Sequence, residues 1–258
     1  MKRALVIAVN AYGSGDGAKG NGAASANYLR GSVLSGGKLA AALSAKGVAV
    51  TSLFNAAATH TAILATLRSL YAHAKPGDLV VVSYHGHGTQ AEVGGTLQDA
   101  LVPVDCLPVD GSWRMENLIP ASAWQHLLEQ RPPGVRVLTN LDCCYGGGLI
   151  VPAKVTPAVM PAPITPRTRL TPGPVSAGLA EFAACRAGEL SYQVQVGGQW
   201  WCAWTYALVQ ALLHASPAAS YAGVFSVAST TFGKTFPSLP DRPTIGGDSV
   251  MLRAPFLT

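Results

Sequence analysis

Two short stretches of this chain carry side chains suited to nucleophilic chemistry. Tyr84-His85-Gly86-His87-Gly88-Thr89-Gln90 follows one apolar run, and Asp142-Cys143-Cys144-Tyr145-Gly146-Gly147 follows another. A cysteine attacks as its thiolate, and an ordinary thiol is mostly protonated at neutral pH. A histidine beside it can take that proton and later return it to a leaving amine. His87 and Cys144 are therefore candidates for base and nucleophile. The glycines around both let a substrate backbone approach, and the N–H groups of Gly88 and Cys144 are candidates for an oxyanion hole. A lone buried cysteine is usually a small inert hydrophobe. A cysteine and a histidine that each follow a strand, flanked by glycine, favour function over that bland reading.

The elements that must hold these residues are legible from apolar runs and turn signals. Residues 4–9, 79–83 and 135–141 read as strongly buried strands, apolar without alternation. Residues 48–53 and 101–104 read as short strands, 178–184 as a further one, and 249–252 as a last one. Ile63, Leu67, Leu70 and Tyr71 recur at helical spacing. Ser35 is expected to cap a helix that carries Leu39, Ala42 and Leu43 on one face and stops at Gly47. Trp124, Leu127 and Leu128 mark another helix, and 203–213 and 220–227 two more. Strands alternating with helices imply a mostly parallel sheet covered on both faces. In such sheets ligands bind beyond the carboxyl ends of the strands. Both chemical stretches lie at that edge.

Composition narrows the function further. The 258 residues are 49% hydrophobic, enough for a full core, and no fixed repeat is present. The net charge of +5 reflects few acids rather than a basic stripe, so nucleic acid is not expected as a partner. Five cysteines, two of them adjacent, fit reduced thiols and a cytoplasmic location better than a disulfide framework. Residues 4–9 are short for a signal core, and no run is long enough to span a membrane. Residues 151–174 differ from the rest. Seven prolines, no acid and no apolar period describe an exposed loop within a single domain spanning 1–258.

The motifs then become specific. His85-Gly86-His87-Gly88-Thr89-Gln90 resembles the metacaspase Ser-Gly-His-Gly-Thr-Gln segment. Asp142 through Gly147 resembles that family's Asp-(Ser/Cys)-Cys-His-Ser-Gly, and Asp99 through Asp105 its stretch leading to Pro-Val-Asp. His87 precedes Cys144 by slightly more than the roughly 50 residues that separate such a pair in caspases. The likeness runs from Ala4 over nearly the whole chain, and its two catalytic segments carry most of the specificity. It implies a caspase-like αβα sandwich with a six-stranded, mostly parallel sheet. It also implies a monomeric cysteine endopeptidase that cuts protein or peptide substrates after Arg or Lys. In that reading His87 is the base and Cys144, not Cys143, the nucleophile. Asp142 becomes an acid of the basic-residue pocket. Cys185, in Ala184-Cys185-Arg186-Ala187-Gly188, only loosely echoes the caspase nucleophile signature and reads as a packing cysteine, as do Cys106 and Cys202.

The chain also departs from the pattern. The second pocket acid expected before the first helix is absent, and Leu34-Ser35-Gly36 stands there. His85 replaces the family serine. Two residues from His87 on extended backbone, it is expected to face the same side and line the substrate pocket. Protonating it near pH 6.5 would then weaken binding of Arg. Many metacaspases use calcium, which here is optional and not required, with Asp99, Asp105 and Glu116 as candidate ligands. Arg167 and Arg169 are candidate self-cleavage sites, because neither bond is followed by proline. The alternatives are a catalytically silent caspase-like interaction module, and a metal site built on His85, His87 and a cysteine.

Overall fold

The computed structural model describes residues 1–12, 28–106, 108–109, 112–147, 149 and 176–257. In chain order the main elements are β1 (Lys2–Ala8), α1 (Ser32–Ala45), β2 (Ala49–Phe54), α2 (His60–Ala72) and β3 (Leu79–His85). A hairpin of β4 (Gly88–Val93) and β5 (Thr96–Leu101) follows, then the short β6 (Pro108–Val109), β7 (Ser112–Trp113) and β8 (Ile119–Pro120). After α3 (Ala121–Glu129) come β9 (Arg136–Asp142), β10 (Leu179–Ala183), and a second hairpin of β11 (Gln193–Val196) and β12 (Gln199–Cys202). The chain continues with α4 (Ala203–His214), α5 (Tyr221–Thr235), β13 (Thr244–Gly247) and α6 (Ser249–Arg253).

The central sheet has six strands in the order β13-β10-β9-β3-β1-β2. All neighbours run parallel except β13, which is antiparallel at one edge. Every residue of β3 and β10 is buried, as expected for strands covered on both faces. Each face has its own core. Leu5, Ile7, Val80 and Val82 pack with Ile63, Leu67, Trp124 and Leu128 of α2 and α3. Ala4, Val6, Val81 and Phe182 pack with Leu39, Leu43, Trp204 and Leu208 of α1 and α4, and with Val224 of α5. The alternation of side chains along each strand feeds the two cores in turn. The αβα sandwich is thus the observed architecture.

The register of the two central strands fixes the site. Leu79 pairs with Arg136 and the ladder ends with His85 beside Asp142. His87 and Cys144 each stand two residues past that last pair, so they leave the sheet at the same edge.

Three local expectations change. Ser35 is not a cap: α1 begins at Ser32, and the Ser35 hydroxyl accepts the Cys202 N–H at 2.8 Å. A side chain read as closing its own helix instead ties that helix to β12. Residues 249–252 form α6 rather than a strand, because Asp248 accepts the Val250 N–H and starts a helix. The final strand is β13, just before it. Residues 101–104 are not a strand of their own, since Leu101 ends β5. Two hairpins join the expected elements. Each turns on a Gly-Gly pair at positive φ, Gly94-Gly95 and Gly197-Gly198, the backbone demanded by tight two-residue hairpin turns. The loop at 151–174, with Arg167 and Arg169, lies outside the described residues. Among the described residues no helix is long and apolar enough to cross a membrane.

Candidate active site

Gly88 explains why the two chemical loops can meet. A Cβ placed on it would lie 1.8 Å from the Cys144 carbonyl oxygen. Only glycine lets the His87–Gly88 backbone lie against the Cys144 turn. His87 and Cys144 consequently line one small pocket, with Leu29, Gly86, Asp142, Ser191, Tyr192 and Gln193 among its walls. Both are partly exposed, whereas Cys143 is fully buried.

Two tyrosines hold His87. The His87 N–H donates to the Tyr12 hydroxyl at 2.8 Å, and the Tyr12 ring packs on the imidazole with centroids 4.8 Å apart. The Tyr84 hydroxyl lies 2.9 Å from the His87 carbonyl oxygen and 2.6 Å from that of Val102. Burial pushes both phenols up, so each keeps its proton.

Cys144 sits on a strained turn. Tyr145, which follows it, has φ of 62°, sparsely populated by residues with a side chain. The amides of Tyr145, Gly146 and Gly147 donate to the carbonyls of Glu189, Cys143 and Cys185. The Cys144 thiol donates to the Ser191 carbonyl at 3.8 Å. Burial pushes this thiol up, and the nearby carboxylates of Asp142 and Asp241 add to that. It therefore keeps its proton until a base takes it.

Asp142 occupies the floor of the pocket. It is 2% exposed and accepts three hydrogen bonds. Ser191 donates to Oδ1 at 2.8 Å, and Thr205 donates to Oδ2 through its N–H at 2.8 Å and its hydroxyl at 2.6 Å. Burial pushes the carboxyl up while these donors pull it down. Among the described residues no cationic side chain pairs with it.

His85 departs from its expected place. Gly86 bends the chain after β3, so the two histidines do not share a face. His85 is completely buried, with Nε2 2.8 Å from Ser83 Oγ and Nδ1 3.1 Å from Thr205 Oγ1. It lies behind Asp142, not on the pocket wall. Burial drives its pKa down to about 3, so it stays neutral where an ordinary histidine would charge. The expected titration near 6.5 does not belong to this residue.

The metal readings find little support. Among the described residues one trio of ligand atoms converges, from His85, Asp142 and Cys202, within 4.8 Å. Every one of those side chains already has hydrogen-bond partners, including Gln193 and Ser32 around Cys202. Asp99, Asp105 and Glu116 do not form a cage. Asp99 accepts from Gln90 at 2.8 Å, and Asp105 accepts the His60 N–H at 2.8 Å. Glu116 is exposed. Calcium takes six to eight oxygens, and these residues do not supply them together.

Tyr12, Ser191 and Thr205 were not singled out from the sequence. Tyr12 sits beyond β1 at the functional sheet edge, a position that could have flagged it. Ser191 and Thr205 flank the unread second hairpin and carried no such signal. The five cysteines are all free, and Cys106, Cys185 and Cys202 are buried, as expected of packing residues. Cys202 also lines the pocket.

An αβα sandwich with a cysteine and a histidine at the carboxyl edge of a six-stranded sheet defines a caspase-like cysteine peptidase. The sequence profile of the caspase domain matches residues 1–241, so the chain belongs to the caspase-domain family of cysteine peptidases. Metacaspase-4 of Arabidopsis thaliana is 36% identical over 94 residues, covering 34% of this chain and 20% of its own length. Metacaspase-7 of the same plant is 35% identical over 94 residues, covering 34% and 21%. The match thus spans about a fifth of these curated relatives. Caspase-1 of Spodoptera frugiperda superposes with a TM-score of 0.62 at 14% identity, over 95% of this chain and 86% of its own. Protein GSU0716 of Geobacter sulfurreducens gives 0.65 at 18%, over 98% and 97%. At those identities the two structures speak for the fold.

Proposed function

We propose that this protein is a cysteine endopeptidase that cleaves after Arg or Lys with Cys144 as nucleophile and His87 as base. The observation that carries the specificity is Asp142: a buried carboxylate on the pocket floor, within a residue or two of the nucleophile and without a cationic partner among the described residues. A buried charge is costly unless paired. A guanidinium or ammonium group entering the pocket would supply the pair, and Arg would do so through two parallel hydrogen bonds.

The chemistry follows from the thiol. Because Cys144 holds its proton, His87 must remove it as the sulfur attacks the scissile carbonyl. The new oxyanion is received by the amides of Gly88 and Cys144. His87 then returns the proton to the leaving amine. A water, deprotonated by His87, releases the acyl group from the sulfur. Tyr12 packs on the imidazole, and Tyr12 and Tyr84 hold the His87 backbone at the pocket edge.

The test uses fluorogenic peptides ending in Arg, Lys or Asp, each with and without calcium. Turnover of the Arg and Lys peptides by wild type is expected, with at least a thousandfold loss in Cys144→Ala and in His87→Ala and most activity kept in Cys143→Ala. Calcium is expected to change little. Full activity in Cys144→Ala would overturn the nucleophile. Preference for Asp would overturn the role of Asp142. No turnover of any peptide would favour the silent interaction module.

A further inference from the structure

The space behind Asp142 is filled by a continuous chain of hydrogen-bonding side chains. The Trp204 indole N–H donates to Asn140 Oδ1 at 2.9 Å, which leaves the Asn140 amide nitrogen to donate to Ser83 Oγ at 2.9 Å. Ser83 Oγ meets His85 Nε2, His85 Nδ1 meets Thr205 Oγ1, and Thr205 Oγ1 meets Asp142 Oδ2. Ser83, His85 and Thr205 are fully buried, so no water is needed to complete it.

Each hydroxyl has one proton, and a neutral imidazole has one N–H. When Asp142 is ionised it can only accept. Thr205 must then donate to it, so Thr205 must accept from His85 Nδ1–H. Nε2 carries no proton and accepts from Ser83. When Asp142 holds a proton, the polarity can run the other way. The carboxyl donates to Thr205, Thr205 donates to Nδ1, and Nε2–H donates to Ser83. Ser83 then turns its proton to the Asn140 carbonyl, 3.3 Å away. All atoms are satisfied in both arrangements. They differ by one proton, bound at Asp142, and the imidazole carries one proton in each; between them Nδ1 gives up its proton and Nε2 takes one by exchange with water when the buried chain opens transiently.

We propose that His85 is a positioning residue that works as a tautomer switch, adopting Nδ1–H when Asp142 is charged and Nε2–H when Asp142 is neutral, and so sets the readiness of the pocket for a cationic side chain. The proposal rests on the reading of Asp142 as the acid that meets a basic substrate residue. It gives the family-breaking histidine a task that a serine, with a single proton and a shorter reach, could not perform. A cation entering the pocket selects the Nδ1–H form and expels the carboxyl proton.

The other titratable groups around Asp142 do not compete for this role. The thiols of Cys143, Cys185 and Cys202 are pushed up by burial and stay neutral. Cys144 is pushed up in the same way. Asp241 is raised to about 7 by burial first and by the Asp142 charge as well, and its own charge in return favours a proton on Asp142. His85 itself is too buried to take a second proton until about pH 3. His87 serves turnover of charged and neutral substrates alike, so it cancels from a ratio between them.

The experiment is nitrogen-detected NMR on histidine-labelled Cys144→Ala protein, with His85 assigned by loss of its signals in His85→Asn. In the free protein, raising the pH is expected to move His85 from Nε2–H to Nδ1–H in one step. A saturating Arg-terminated peptide is expected to force Nδ1–H at lower pH, with a citrulline-terminated peptide leaving it unchanged. In the active enzyme, the ratio of kcat/KM for Arg over citrulline should fall about tenfold per pH unit below that step. His85→Asn keeps a donor toward Thr205 but has no second tautomer, so its ratio should be nearly flat in pH. An unchanging tautomer across pH 4.5–9.5 and with both peptides overturns the proposal, as does an imidazolium. A pH-driven exchange in a protein that ignores the Arg peptide would uphold the switch and refute the specificity reading.

Discussion

Two buried carboxylates stand on neighbouring strands of the sheet, and they are served very differently. Asp142 ends β9 and receives three donors. Glu181 lies inside β10, opposite Thr139, and its Oε2 has no partner among the described residues. Burial drives Glu181 up to about 8, with the Thr139 hydroxyl opposing only weakly. At neutral pH Glu181 is a proton-bearing filler of the sheet. Asp142 is a carboxylate prepared for charge. Burial alone therefore does not ready a carboxylate for charge. The donors arranged around it do, and they come from the hairpin and helix that close the pocket.

The sharpest way to break this contrast is to neutralise each acid in turn. Asp142→Asn keeps the shape, because Ser191 can rotate to accept from the new amide nitrogen. It should lower kcat/KM for an Arg peptide by roughly a hundred- to a thousandfold, the loss of a buried charge pair worth about 3–4 kcal/mol. Turnover of the citrulline peptide should change no more than about threefold. Glu181→Gln should leave both within about twofold. Equal losses for Arg and citrulline in Asp142→Asn would show a structural role instead of an electrostatic one.

Stability should show the reverse ranking. A group whose folded pKa lies above its unfolded value favours the fold at low pH and loses that contribution as pH rises. For Glu181 the loss begins near 4.5 and is complete above about 8. Glu181→Gln removes it. Urea denaturation should find the variant and wild type nearly equal at pH 5, with the variant more stable by up to about 4 kcal/mol at pH 9. A gap that does not grow with pH would mean that Glu181 is ionised in the fold.

How much of this was readable beforehand depends on range. The strands, the sandwich and the pair His87 and Cys144 follow from local apolar runs and a motif, so sequence suffices. The donors to Asp142 do not. Ser191 and Thr205 come from residues far along the chain, brought beneath the sheet edge by a hairpin whose Gly-Gly turn was passed over. His85 was misplaced for a related reason. Alternation along a strand predicted its direction relative to His87, but the Gly86 bend and the closing of Thr205 over it decide whether that direction is solvent or core. Ser35 shows the same limit: a serine at the front of a helix reads as a cap unless a distant amide claims it.

The smallest expected effect concerns a third acid, and it tests whether an unserved carboxylate can still matter. Asp241 is 2% exposed and neither of its oxygens has a partner among the described residues. Burial holds it at about 7, and Asp142 and Glu189 push the same way. Unlike Glu181, it lies close enough to Cys144 to raise its thiol when it is ionised. A unit charge several ångströms away through well-screened surroundings is worth about 0.5 kcal/mol. Asp241→Asn should therefore speed alkylation of Cys144 by iodoacetamide roughly two- to threefold at pH 8, because more of the thiol is then thiolate. At pH 5.5, where Asp241 carries a proton in the wild type, the two rates should coincide. Mass analysis of the peptide containing Cys144 gives the rate directly. An acceleration of the same size at both pH values would point to a change in access to the thiol, and would remove Asp241 from the electrostatics of the site.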